Sequence, residues 1–314
     1  MKIDKTTLKI FFVYSPEWSH PEKRGSTIMR AFVPAMHLKK KFNYNTFCLN
    51  RLDVSQLNQN DIVIFMKCNN HPDVNIARSK KCICIYDPVD NFDSFANNDK
   101  FNFFIAASKA HIDFLAINHK INSNKCIIID HLSTNITNLI ADAKYSIPTV
   151  GAVQPVHEHN ILKLLPNFCK TIGSIFTYKD SHKETIEFCQ NTGNKQLFSL
   201  YKDINIGISV YDINTERGKE RVNQKPSTKL SAFSSYCIPC VLTKQNSYSQ
   251  YLEKYDLLNN LIVESDEEIF FQIEKLSKDN VYYNKCRDVM MLLRNDFHMD
   301  NVERLYVDQV INLI

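Results

Sequence analysis

Short apolar runs alternate with longer amphipathic stretches in the first half of the chain. The runs that read as buried β-strands lie at residues 8–14, 61–66, 82–86, 101–106 and 125–129. The stretches 27–41 and 108–118 carry the spacing of apolar positions that is typical of helices. Continuous apolar strands separated by helices predict a parallel sheet that is covered on both faces.

The pattern pauses around residues 135–150 and then starts again. Strands are expected at 149–153, 170–178, 203–210, 238–242 and 261–263, and helices at 160–168, 181–191, 228–235, 266–276 and 282–314. The predicted fold class is therefore α/β, with two doubly wound, Rossmann-like domains that face each other across a cleft. We place these domains at residues 1–145 and 146–314, with a last helix that can cross back to the first domain.

Composition excludes several classes of protein. The chain has 6 glycines, where average usage would give about 22, so the glycine-rich loops of dinucleotide-binding and P-loop proteins are not expected. The 38 Lys and Arg residues and 34 Asp and Glu residues leave a net charge of only +4, which does not predict a nucleic-acid partner. No apolar run reaches the roughly 18 residues that a membrane span needs. The cysteines read as buried small side chains in a reducing cytosol, so the expected location is cytoplasmic.

One polar stretch in the second half combines a helix start with two cations. It reads Lys225-Pro226-Ser227-Thr228-Lys229, and the apolar pattern that follows predicts a helix from Ser227 or Thr228. Ser227 can cap that helix. Two lysines at the positive end of a helix are unfavourable unless an anion binds there and accepts hydrogen bonds from both. The alternative is a solvated helix start with two exposed lysines.

Several short motifs occur in the order found in one large family. They are Asp203-Ile204-Asn205-Ile206, Lys225 through Ala232, Cys237-Ile238-Pro239-Cys240-Val241, Arg24-Gly25-Ser26 in the first half, and Phe297 through Tyr306 at the end. Together they resemble glycosyltransferases of the GT-B fold, in particular families 1 and 4 and the enzymes that build bacterial surface polysaccharide or lipopolysaccharide. The resemblance covers nearly the whole chain.

The resemblance implies transfer of a sugar from a nucleotide-activated donor to a glycan or lipid-linked acceptor. It implies no metal and no other cofactor, and a peripheral contact with the inner membrane is compatible with it. The leaving phosphate would be held by Lys225, Ser227, Thr228 and Lys229, and Arg221 in the preceding polar segment would close over the donor. An ordinary solvated loop is the alternative for Arg221. On the acceptor side, the corresponding loop residues are Gly25 and Arg30.

Three residues are candidates for catalysis. Asp87 and Asp90 follow the strand predicted at 82–86, where a carboxylate could take a proton from an acceptor hydroxyl. Turn formation explains Asp87-Pro88 as well. His157 follows the first strand of the second domain and could contact the donor phosphate or sugar. A zinc site at His157 and His159 is disfavoured because the spacing supplies no third ligand.

Two departures from the family pattern keep other functions open. Many retaining members carry a glutamate pair spaced E-x7-E, whereas this chain has Gln224 and Ala232 at the corresponding places. Cys237 replaces the usual glycine. A catalytically silent protein that binds nucleotide sugars is therefore an alternative to the transferase. A nucleotide-sugar epimerase is a weaker one, because it would need more carboxylates in the cleft than the sequence offers.

Overall fold

The computed structural model describes residues 7–17, 25–89, 98–133, 135, 139–143, 146–154, 160–179 and 199–313. The chain forms two compact units. The first contains Met1–Thr134 and Met299–Ile314, and the second contains Asn135–His298. Each unit has its own parallel sheet, so the units are described separately.

The sheet of the first unit is built from the apolar runs of the first half. Its described strands are β1 (Lys9–Val13), β2 (Asn45–Leu49), β3 (Ile62–Met66), β4 (Ile83–Asp87), β5 (Phe103–Ala106) and β6 (Cys126–Ile128). They pair in parallel in the order β2-β1-β3-β4-β5-β6. Every residue of β3 and β4 is buried, as expected for central strands of a sheet that is covered on both faces.

Helices connect these strands. They are α1 (Gly25–Thr27), α2 (Val33–Phe42), α3 (Val74–Ser79) and α4 (Lys109–His119), and a π-helical segment, Ile28–Phe32, joins the first two. The Ser108 hydroxyl caps α4 by accepting a hydrogen bond from the His111 amide at 3.3 Å. Asn43 and Lys120 end α2 and α4 with φ of 61° and 57°, the left-handed conformation that commonly terminates helices.

The second unit has the strand order of a doubly wound sheet. Its described strands are β7 (Thr149–Val153), β8 (Ile175–Lys179), β9 (Ile206–Ser209), β10 (Cys240–Thr243) and β11 (Ile262–Val263). They run in parallel in the order β11-β10-β9-β7-β8. The chain builds outward from β7 to β8 and then returns to place β9 on the other side of β7. The order therefore reverses between β7 and β9, which is where ligands bind in open α/β sheets.

The helices of the second unit pack around this sheet. They are α5 (Leu165–Thr171), α6 (Glu216–Gln224), α7 (Thr228–Ser235), α8 (Ser249–Leu252), α9 (Asp266–Lys278) and α10 (Asn280–Asp296). Helix α7 approaches β9 closely because Gly207 has no side chain: a Cβ there would lie 2.5 Å from ring carbons of Phe233. Cys237, just after α7, has a φ of 57°, which explains why glycine is usual at this position of the motif.

The end of the chain belongs to the first unit. A π-helical segment, Arg304–Asp308, leads into α11 (Gln309–Asn312). The ring of Tyr306 lies 5.6 Å from that of Phe12 in β1, and the hydroxyl of Tyr44 donates to Glu303 at 3.0 Å. These contacts pack the C-terminal segment against the first sheet.

The predicted fold class is confirmed: both sheets are parallel and carry flanking helices. The strand expected at 170–178 was wrong in its first half, because α5 continues to Thr171 and β8 begins at Ile175. Strand β2 and helix α3 were not predicted. The helix expected at 181–191 lies outside the described residues. No helix in the described part of the chain is long and apolar enough to cross a membrane.

Candidate functional site

The carboxyl edge of the second sheet brings Lys229 to the point where the strand order reverses. Lys229 lies in the first turn of α7, and its ammonium donates a hydrogen bond to the carbonyl of Val153, the last residue of β7. The contact joins residues 76 positions apart. It places a cation beside a helix N-terminus at the edge where doubly wound sheets bind phosphates.

Gln154 ties the ends of β7 and β9 together. Its side chain is fully buried; its amide nitrogen donates to the Val210 carbonyl at 3.1 Å, and its amide oxygen accepts from the Val210 N–H at 3.0 Å. The Tyr178 hydroxyl, from β8, donates to the backbone carbonyl of Gln154. The side-chain amide thus continues the ladder between β7 and β9 beyond the last residue of either strand.

Ser227 fixes the start of α7 in a way that the sequence did not predict. It occupies the N-cap position, but its side chain makes no capping bond to the helix. Its hydroxyl instead donates to the carbonyl of Ser247, in the 3₁₀-helical segment Asn246–Tyr248 after β10, at 3.1 Å. Ser227 is fully buried, whereas Lys225, Thr228 and Lys229 are half-buried. Its direct contact with a phosphate stays a prediction, and its observed role is to anchor the helix start.

The side chains of three predicted site residues lie outside the described part of the chain. Asp90 and His157 lie outside the described residues. Arg221 belongs to α6, but its side chain is also outside the described part. Their assignments as catalytic or donor-binding residues remain predictions.

A buried ion pair organises the carboxyl edge of the first sheet. Arg30, in the π-helical segment before α2, is only 2% exposed, and its Nε donates to the Asp87 carboxylate at 2.8 Å. Its Nη1 donates to the carbonyls of Ile129 and Asp130, both at 3.0 Å. One guanidinium thus joins the ends of β4 and β6. Gly25, predicted with Arg30 to form the acceptor-side loop, is the first residue of α1.

The surroundings of Arg30 hold it in the charged form. Burial by itself lowers the pKa of the guanidinium, but the charge of Asp87 and the neighbouring Tyr306 outweigh burial, and the pKa is raised. The guanidinium also lies 5.9 Å from the centre of the Tyr306 ring. A permanent buried cation of this kind requires a permanent partner, which is the observed role of Asp87.

Asp87 is less accessible than a general base would be. Its side chain is 1% exposed, one oxygen accepts from Arg30, and the other accepts from the Val89 N–H at 3.0 Å. A base must reach the proton that it removes. The assignment of Asp87 as a base therefore stays a prediction, and the structure gives the residue a structural partner instead.

Three residues of the site could not be identified from the sequence: Gln154, Tyr178 and Ser247. In the sequence, Gln154 is simply the polar residue that follows the strand predicted at 149–153. Its partner, Val210, is 56 residues away, so the bond depends on the strand order and has no local sequence signal. Ser247 is linked to the site in the same way, through a contact across 20 residues.

A separate cavity of 280 Å³ lies farther along the carboxyl edge of the second sheet. It is bounded by the segments that follow β9, β10 and β11 and by the start of α9, and its lining includes Tyr211, Thr243, Val263, Glu264, Asp266 and Ile269. Residues 225–229 do not line it. Among the side chains described, no group of three or more His, Cys, Asp or Glu residues is arranged to hold a metal ion.

Comparisons with known proteins give a structural likeness and no sequence match. No protein-family model matches the chain, and no curated protein matches it in sequence. The solved structure of AviGT4, a glycosyltransferase involved in avilamycin A biosynthesis, is similar over 98% of both chains, with 10% identity and a TM-score of 0.55.

Two further structures are similar over part of their length. The GtfA/B complex matches with 13% identity and a TM-score of 0.54, and the pneumococcal O-GlcNAc transferase GtfA, solved with UDP and GlcNAc, with 12% and 0.52. Each match covers 82% of this chain and 58% of the other, so the chain spans little more than half the length of those proteins. At such identities the likeness establishes the fold alone. The chain has the two-sheet α/β fold of the GT-B glycosyltransferases.

Proposed function

We propose that the protein is a glycosyltransferase that moves a sugar from a nucleotide-activated donor to a glycan or lipid-linked acceptor. The observation that carries the proposal is the position of Lys229. Its ammonium lies against the end of β7, in the first turn of α7, at the reversal of strand order. The fold that the chain shares with glycosyltransferases supports the same reaction class.

The proposed chemistry follows from what the leaving group needs. Transfer breaks the bond between the sugar's anomeric carbon and the phosphate oxygen, and the nucleotide departs with added negative charge. Cations and helix-terminal amides that are already in place stabilise such charge without reorganising. We assign this task to Lys225, Thr228 and Lys229, with Ser227 anchoring the helix start, and we propose that no metal is required.

Proton removal from the acceptor hydroxyl completes the reaction. Asp87, Asp90 and His157 are the candidates for this base, and we favour Asp90 and His157 because Asp87 is engaged with Arg30 and the Val89 amide. The engaged state of Asp87 also favours a second candidate function. This second candidate is a protein that binds a nucleotide sugar without transferring it.

The resemblance of the sequence motifs to GT-B glycosyltransferases is the basis for proposing an acceptor and a cellular setting. We propose a role in bacterial surface polysaccharide or lipopolysaccharide synthesis at the cytoplasmic face of the inner membrane. Lys39, Lys40 and Lys41 are exposed at the end of α2, and such a basic group can contact anionic lipid headgroups. A vesicle-binding measurement with and without anionic lipid tests this part separately.

Donor turnover tests the proposed function. The protein is incubated with a panel of nucleotide sugars, beginning with UDP-sugars because a similar structure holds UDP, and release of the nucleoside diphosphate is measured without and with added acceptors. Release by the wild type and loss of release in Lys229→Met support a transferase. Donor binding without release supports the silent binder, and absence of both contradicts the proposal.

A further inference from the structure

We propose that Gln154, assisted by Tyr178, is a positioning residue that holds Lys229 in place at the edge of the second sheet. The proposal rests on the proposed function for its purpose, which is to keep the phosphate-binding cation in place before the donor arrives. No motif of the resemblance assigns a role to either residue. Three consecutive sets of hydrogen bonds connect Gln154 and Tyr178 to Lys229.

The first set fixes the backbone at the end of β7. Gln154 is fully buried and exchanges two hydrogen bonds with the backbone of Val210, at 3.1 and 3.0 Å. A buried amide with both of its polar ends bonded to one residue has little rotational freedom. The peptide that links Val153 to Gln154 is therefore held against β9.

The second set fixes the next peptide, which contains the Gln154 carbonyl, from the other side. The Tyr178 hydroxyl reaches from β8 and donates to the Gln154 carbonyl. Residue 154 is thus bonded to both neighbouring strands although the regular pairing of β7 with β9 ends at Ala152.

The third contact transmits this rigidity to the cation. The carbonyl that accepts the hydrogen bond from the Lys229 ammonium belongs to Val153, the residue directly before Gln154. A lysine side chain has four rotatable bonds, and holding it in one geometry costs conformational entropy. A fixed carbonyl acceptor removes that cost before the ligand binds, which is how preorganised sites gain affinity.

The opposite edge of the same sheet supplies a matched control. Asn205 ties the amino ends of β7 and β9: its side-chain oxygen accepts from the Thr149 N–H at 2.8 Å, and its own N–H donates to the Thr149 carbonyl at 2.9 Å. The Tyr283 hydroxyl donates to the Asn205 carbonyl at 3.2 Å. An amide side chain and a tyrosine hydroxyl therefore perform the same structural task at both edges, and only one edge holds Lys229.

The experiment compares the two edges in the full-length protein. Gln154→Met is paired with Asn205→Leu, and the milder Tyr178→Phe with Tyr283→Phe, so that a variant that fails to fold still leaves one complete comparison. The first readout is the rate at which acetic anhydride modifies the Lys229 amine, measured by mass spectrometry relative to Lys244, whose side chain is 56% exposed. The second readout is the dissociation constant for UDP, measured by calorimetry.

A positioning role predicts a difference between the edges. Lys229 should react several-fold faster in Gln154→Met and Tyr178→Phe, and unchanged in Asn205→Leu and Tyr283→Phe. UDP affinity should fall by about tenfold in Gln154→Met, the equivalent of roughly 1.4 kcal/mol of a charge-assisted contact, and stay within about twofold in Asn205→Leu.

Two results would overturn the proposal. One is a Lys229 reaction rate that Gln154→Met and Tyr178→Phe leave unchanged, and the other is an equal effect of the variants at both edges. The amine-modification readout decides the positioning of Lys229 even if the wild-type protein binds no UDP. A wild-type protein that binds no UDP would contradict a transferase that uses UDP-sugars, but it would leave the positioning role testable. Failure of the proposed function and failure of the positioning role are therefore distinguishable.

Discussion

Replacing Arg30 should lower the stability of the first unit by more than an ordinary substitution does. Arg30→Met keeps the apolar stem and deletes the guanidinium, which leaves the Asp87 carboxylate, only 1% exposed, without its cationic partner. Removing one partner of a buried ion pair costs about 3–5 kcal/mol, because the other charge is left uncompensated. The carbonyls of Ile129 and Asp130 also lose a donor, so we expect a loss at the upper end of that range.

A second substitution separates the charge from the packing. Asp87→Asn in the Arg30→Met background removes the uncompensated charge and keeps an oxygen that can accept from the Val89 N–H. The double variant should therefore be more stable than Arg30→Met alone, although both carry the same deletion at position 30. Such a non-additive result is the signature of a direct pair.

Urea unfolding followed by circular dichroism measures both effects. The account of the first unit is refuted if Arg30→Met lies within about 1 kcal/mol of the wild type, which is the range of an ordinary substitution, or if Asp87→Asn does not recover stability. Donor turnover adds a further test on Asp87→Asn alone: a structural carboxylate predicts turnover that is retained per folded molecule, whereas a base predicts its loss.

Three other outcomes follow from the packing. Gly207→Ala should lower the free energy of unfolding by about 1–3 kcal/mol in urea titrations, because its methyl group would overlap the Phe233 ring. The Cys169 thiol, whose pKa burial raises to about 11, should resist alkylation at neutral pH until the protein unfolds, as read by mass spectrometry. Burial lowers the pKa of His71 below its ordinary value of 6.5, so the unfolded chain binds the proton first and stability should fall as the pH drops below 6.5. We expect His71→Gln to show a smaller loss of stability when urea titrations above and below pH 6.5 are compared. An unchanged loss would mean that His71, whose ring bonds the Asn50 carbonyl, is not its cause.

The central strands were predictable because burial on both faces leaves a continuous apolar run. Strand β7 occupies Thr149–Val153, the predicted bounds, and α7 occupies Thr228–Ser235, also as predicted. Strand β2 was missed for the opposite reason. Among the described strands it lies at the edge of its sheet and pairs only with β1, and it includes the exposed Asn45 and the polar Thr46.

The candidate site was predictable only where its chemistry is local in sequence. The segment 225–229 shows two cations at a helix start, and that pattern can be read without the fold. The pairs formed by Gln154 with Val210 and by Arg30 with Asp87 join residues 56 and 57 positions apart. Neither pair has a spacing rule, because each exists only once the strand order has brought the two residues together.

Calorimetric titration of the full-length protein with UDP and other nucleoside diphosphates is the measurement that bears most directly on the central claim. Lys229→Met is compared with Lys244→Met, a lysine of the same unit whose partner is the exposed Glu264. A charge-assisted contact is worth about 1.5–3 kcal/mol, so the account predicts that the nucleotide bound by the wild type binds roughly ten- to 150-fold more weakly to Lys229→Met and with unchanged affinity to Lys244→Met. Wild-type affinity in Lys229→Met would contradict the claim that the start of α7 holds the donor phosphate.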